Sequence, residues 1–219
     1  TVDNVFYTIR VNGGSGATVP HGLSKKPAFI IHKNIDSNVA WPIFHHQTSN
    51  SGTSASDVHY FNQHGTGTSD NLRNVNENTY SLVSWSGSNQ SGSTHVAWIW
   101  HEVPGFSKFG RYIGNADSAH GTFVNCGFKP ALVIIKGNND HWCVHDSARL
   151  PNNDNISQLN PNLNNQEYDG GNPINFVSNG FMIGASNTGG AAGSRTNGDG
   201  SPYIYMAWAE SPFKYANAK

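Results

Sequence analysis

Apolar and aromatic residues along this chain come in short runs closed by Gly, Asn, Ser or Pro, and helical windows rich in Ala, Leu and Glu are nearly absent. In the first half FYTIRVN, ATVPHG, AFIIHKN, AWPIFHH, VHYFNQH, YSLVSWSG and THVAWIWHEV read as β-strands. In the second half RYIGN, GTFVNCG, ALVIIKG, HWCVHDS, INFVSNG, FMIGAS and YIYMAWAE do the same. Within YIYMAWAE, Ile204, Met206 and Trp208 share one face while Tyr203, Tyr205 and Ala207 share the other. Both faces are apolar, so this strand is expected at the centre of a sheet. Short strands at such spacing predict a β-sandwich or jelly roll.

The runs also repeat. GLSKKPAFIIHKN (Gly22–Asn34) matches GFKPALVIIKGN (Gly127–Asn138), with Pro27 and Pro130, like Lys33 and Lys136, 103 residues apart. Trp41 and Trp142 follow at a spacing of 101, and YSLVSWSGSN roughly matches FMIGASN. Trp100, Glu102 and Pro104 match Trp208, Glu210 and Pro212 at a spacing of 108. The chain is therefore expected to be all-β, with two tandem related sandwich or jelly-roll-like repeats of about 105 residues, 1–105 and 106–219, each closed by the Trp-x-Glu-x-Pro motif. Three segments are not shared: Gln47–Asp57, Arg149–Asn172 and Asn187–Ser201. These are expected to be surface loops, either sites of recognition or plain solvated connections.

Composition narrows the function. Only 12% of the residues are charged, while 28 are Asn, which suits tight turns and an amide-rich surface. An aromatic content of 11%, with 6 Trp, supplies the bulk of a core, so the low charge does not mean disorder. The net charge is -1 and the basic residues are scattered, which argues against nucleic acid and anionic membrane as partners. No apolar run approaches the ~18 residues of a membrane-spanning helix. Thr1 opens the chain without Met or a signal peptide, as expected of a piece of something longer. Two cysteines, Cys126 and Cys143, say little about redox compartment.

EVPGFSKFGRYIGN, GFKPALVIIKG followed by a Trp and HDSAR, FVSNGFMIG and the terminal YIYMAWAESPFKYANAK resemble the C-terminal repeat region of tail fibre and tail tip proteins of tailed phages, of the marine and cyanobacterial kind. The resemblance covers nearly the whole chain, and SPFKYANAK is its most specific part. It implies a virion protein on the tail or another appendage that contacts the host surface, and it carries over no catalytic residue. A homo-oligomer, plausibly a trimer, is expected with it. The alternative is a purely structural virion module of tail tip, baseplate or capsid decoration that touches only other virion proteins.

Candidate chemistry is sparse. Glycoside hydrolysis needs two carboxylates with different roles, whereas Glu102 and Glu210 occupy one repeated position and read as structural. No G-x-S-x-G or Walker A pattern occurs, so no enzyme activity and no cofactor are expected. HWCVHD sets His141, Cys143 and His145 two residues apart, three ligand types on one strand face that suit Zn²⁺ or a similar ion. In that reading Trp142 and Val144 face the core. Carbohydrate binding fits the composition best, because aromatic faces, planar amides and short hydroxyls hold sugars. The candidates are the aromatics in or beside the variable segments: His59, Tyr60, His64, Trp85 and Tyr168. Trp41, Trp98, Trp100, Trp142 and Trp208 lie in strand patterns and are expected in the core. The partner is then a glycan or protein of the host surface, along with other virion proteins.

Overall fold

Alternating apolar residues need a second surface to pack against, and the chain supplies one twice. The computed structural model describes residues 6–12, 16–48, 58–63, 66–67, 71–117, 121–137, 140–149, 157–167, 174–184 and 194–211. The chain divides into two compact units, Thr1–Glu102 and Val103–Lys219.

In the first unit, β1 (Phe6–Asn12), β9 (Thr94–Trp100), β3 (Phe29–Asn34) and β4 (Ile43–His45) form an antiparallel sheet in that order. A second sheet runs β2 (Thr18–Pro20), β8 (Thr79–Leu82), β7 (Leu72–Arg73), and β5 (Val58–His59) pairs with β6 (Thr66–Gly67). Ile30, Phe44, Ala97 and Ile99 of the larger sheet share one core with Val19, Leu72, Tyr80 and Leu82 of the smaller, which makes the unit a β-sandwich. A helical turn, α1 (Ser86–Asn89), comes between β8 and β9 in the chain and lies against β3.

The second unit has the same strand order. Its larger sheet runs β10 (Ser107–Ile113), β16 (Pro202–Ala209), β12 (Pro130–Gly137), β13 (Cys143–Asp146), and its smaller sheet β11 (Thr122–Asn125), β15 (Gly180–Ile183), β14 (Ile174–Val177). Val133, Ile135, Tyr203, Tyr205 and Ala207 meet Val124, Ile174, Phe176, Phe181 and Ile183 in its core. The central position expected for YIYMAWAE is the one β16 takes, paired on both sides. Register also corresponds. Phe29 pairs with Trp100 and Leu132 with Trp208, while Lys33 pairs with Val96 and Lys136 with Ile204. A short turn, α2 (Ser194–Asn197), precedes β16 as α1 precedes β9.

The tryptophans depart from expectation. Of the five assigned to the core only Trp142 is buried; Trp41, Trp98, Trp100 and Trp208 are half-buried. The reason is parity. Along β9 His95, Ala97 and Ile99 take the inner face, so Trp98 and Trp100 fall on the other. The repeated glutamates each meet a basic side chain. Glu102 reaches His46 Nε2 at 3.9 Å, and Glu210 reaches Lys129 Nζ at 2.8 Å.

Candidate functional site

Several rings of the first unit are only half-buried. The β3–β4 register pairs Ile31 with Ile43, which continues to place Lys33 opposite Trp41, just before β4. Lys33 Nζ sits 4.1 Å from the centre of the Trp41 ring, a cation–π contact. The segment around Tyr60 is laced to the same stretch. The Trp41 amide donates to Asn62 Oδ1 at 2.8 Å, the Phe61 amide to the Trp41 carbonyl at 2.8 Å, and Asn62 Nδ2 to the Val39 carbonyl at 3.3 Å. The Phe61 ring consequently lies parallel to that of Trp41, centres 6.4 Å apart and planes within 10°.

A second ring pair stands beside the first. Trp85, in extended backbone at the N-cap of α1, meets Tyr60 with ring centres 5.8 Å apart and planes 33° apart. Its indole lies across Gly87, where any side chain would collide with it and come within 2.7 Å of the Ala40 carbonyl. That crowding explains a glycine inside a helical turn. Under the Tyr60 hydroxyl lies the Asn71 side chain, 1% exposed, whose amide makes no hydrogen bond of ordinary geometry. Burial raises the Tyr60 hydroxyl above its usual pKa, and the neighbouring Asn71 amide partly offsets this.

All four rings, Trp41, Tyr60, Phe61 and Trp85, are half-buried. Together they offer flat apolar faces beside amides and one ammonium group. Such a surface can hold a sugar or another ring-shaped polar ligand by stacking and hydrogen bonding.

The second unit has the equivalent backbone contact, from the Trp142 amide to Asn162 Oδ1 at 3.1 Å. Its immediate neighbours are Asn160 and Pro161 rather than Tyr60 and Phe61. There Trp142 is fully buried, and Asn160 Nδ2 donates to its carbonyl at 2.6 Å. Lys136, the counterpart of Lys33, is buried and donates to the Gly137 carbonyl at 2.7 Å. Burial lowers its pKa to about 8. The ring cluster, among the described residues, belongs to the first unit.

Of the five aromatic candidates, the structure brings Tyr60 and Trp85 together. His59 is 3% exposed and is corrected to a buried residue: extended backbone alternates its sides, so His59 turns inward at the end of β5 while the next residue, Tyr60, is left half-buried. His64 and Tyr168 lie outside the described residues, as do most of Gln47–Asp57, half of Arg149–Asn172 and the first part of Asn187–Ser201.

His141, Cys143 and His145 are not gathered into a metal site, and of the two residues expected to face the core Trp142 is buried while Val144 is not. Cys143 and His145 point into the sandwich while Val144 is half-buried. His141 precedes the strand and pairs its Nδ1 with Asn162 Nδ2 at 2.9 Å. Burial raises the Cys143 thiol to about 12 and lowers the His145 imidazole to about 4. Among the described residues no three His, Cys, Asp or Glu side chains are placed to hold an ion.

Trp41, Phe61 and Lys33 were not among the sequence candidates. A signal for them existed in VHYFNQH, where two adjacent rings, Tyr60 and Phe61, cannot both face one core from an extended strand.

No curated protein and no solved structure matches the chain. The family model described as a domain of unknown function (DUF7483) matches residues 3–212, and the chain belongs to that family.

Proposed function

We propose that this chain is a module of a phage tail fibre that attaches to a host-surface glycan without catalysis. The observation that carries the reading is the cluster of four half-buried rings at Trp41, Tyr60, Phe61 and Trp85. A monomeric domain gains little by leaving so much aromatic surface in water unless a ligand covers it. The resemblance to tail fibre and tail tip repeats supplies the setting, a virion appendage facing the cell surface. Weak attachment at one module is multiplied by the many copies on a virion, since tethering makes each later contact intramolecular.

The second reading, a structural virion module, draws on a different observation. On the outer face of the second unit's smaller sheet, Phe123 and Met182 are cross-strand partners, 45% and 37% exposed. An apolar pair of that kind suits a neighbouring virion protein. A glycan array and adsorption to host cells separate the two. Under the glycan reading Trp85→Ala and Tyr60→Ala each weaken binding about tenfold, in line with ~1–3 kcal/mol for an aromatic contact at a binding site. Phe123→Ser leaves binding unchanged. If the array shows no binding and Phe123→Ser alone blocks incorporation into particles, the glycan reading fails.

A further inference from the structure

Beneath the ring cluster the core of the first unit contains an unusual pair. His32 on β3 and His95 on β9 are both 0% exposed, with ring centres 5.2 Å apart and planes 35° apart. None of the four ring nitrogens makes a hydrogen bond of ordinary geometry, and neither does the buried hydroxyl of Tyr80, whose ring meets His32 edge-on at 6.3 Å. The corresponding positions of the second unit, by register, hold Ile135 and Tyr203, and Phe181 stands where Tyr80 does. The second unit thus fills this place with an aliphatic side chain and a phenol, both neutral in acid, and the first unit puts two imidazoles there instead.

The groups around the pair are few. Tyr80 faces it from β8, the backbone of Ser88 in α1 faces His32, and the backbone of Gln90 after α1 faces His95. Among the described residues the carboxylate that acts on the pair is Asp36, on His95, and its Oδ2 is already taken by the Thr94 amide at 2.6 Å. Lys33, the next residue on β3, points to the opposite face of the strand, towards Trp41. Between the pair and the rings lies α1, held to β3 by the Asn34 amide. Asn34 Nδ2 donates to the Ser86 carbonyl at 2.9 Å and to Gln90 Oε1 at 3.1 Å. Trp85 is the residue on which α1 begins, and its carbonyl accepts from the amides of Ser88 and Asn89 at 3.1 and 2.7 Å.

We propose that the buried His32–His95 pair is an acid-sensitive latch on the ring cluster: neutral imidazoles let α1 close over them and hold Trp85 against Tyr60, and protonated ones drive α1 away and part the rings. The proposal rests on the reading of that cluster as the binding face, and it adds that binding is strong near neutrality and released in acid.

The sign follows from burial. A charged imidazole in this place gives up its hydration and stands against a second ring that resists a second charge, which the facing backbone of Ser88 or Gln90 offsets only in part. Burial, helped by His95, holds His32 down to about 3, and burial lowers His95 too, with Asp36 opposing. In the open state the same rings regain the ordinary value near 6.5. Acid thus favours opening, and at pH 5 His32, neutral when closed, raises the opening equilibrium about thirtyfold, with His95 acting in the same direction.

Amide hydrogen exchange on the 219-residue chain, without any glycan, tests this separately from the binding reading. After correction for the chemical exchange rate, protection across residues 83–95 is expected to fall at least tenfold between pH 7.5 and pH 5. Replacing the pair with the second unit's residues, His32→Ile with His95→Tyr, is expected to hold that fall below threefold. An equal fall in the double variant, or none in the native chain, overturns the proposal. Should the double variant fail to fold, ring-proton titration of the native chain decides. Imidazoles that stay neutral below pH 5 until α1 loses protection support the latch. Imidazoles that titrate near 6.5 with α1 still protected overturn it.

Discussion

At the scale of single residues, the two units show what one position can be made to do. Trp41 and Trp142 share a backbone contact to an asparagine, yet one indole is half-buried and the other is 0% exposed. The difference lies in the neighbours, a stacked Phe61 in one unit and the amide of Asn160 in the other. Trp142→Ala therefore removes a ring enclosed on all sides and is expected to cost about 3–5 kcal/mol. Trp41→Ala, losing a stacked contact and a cation–π contact at the surface, is expected to cost about 1–2 kcal/mol. Urea unfolding of the two variants measures both. Equal losses would mean that the half-buried indole is as deeply packed as its counterpart.

At the scale of elements, alternation made the strands legible and left their facing open. THVAWIW and YIYMAWA are apolar on both parities, so periodicity alone placed them centrally without saying which side meets the second sheet. In the first, the parity with His95, Ala97 and Ile99 went inward, against the expectation that large indoles fill the core. Polar histidines are poor core candidates from sequence, because only the fold shows whether a buried imidazole is tolerated. The turns α1 and α2 were invisible for another reason. SGSN and SRTN have no helical propensity and are four residues long, held by side chains from elsewhere. Asn34, fifty-two residues before Ser86, is the clearest such support. Asn34→Ala frees the Ser86 carbonyl and the Asp36 amide, both paired by that side chain, and is expected to cost about 1–3 kcal/mol. The loss should appear as faster exchange across α1 before the urea midpoint moves. If α1 keeps its protection in Asn34→Ala, the turn is held by the Trp85 ring contact instead.

At the scale of the whole chain, few charges remain to tune, and histidine carries most of the pH response. Among the described residues seven histidines are buried, six of them, at 21, 32, 45, 59, 95 and 101, in the first unit and one, His145, in the second. Burial depresses His32 to about 3 and His145 to about 4, so the unfolded chain, with ordinary imidazoles, binds more protons than the folded one below the ordinary value. Stability from these two groups is fully present above pH ~6.5 and is lost as the pH falls towards their folded values. Between pH 7.5 and pH 5 each removes about 2 kcal/mol, together about 4 kcal/mol, a large share of the ~5–15 kcal/mol that holds a typical domain. Urea midpoints at pH 7.5, 6 and 5 should fall steadily, with His145→Leu lowering stability at neutrality but flattening the slope. The effect should also be uneven along the chain, with amides of Thr1–Glu102 losing protection before those of Val103–Lys219. A midpoint constant from pH 7.5 to pH 5, or a loss led by the second unit, would show that the buried imidazoles of the first are not what acid acts upon.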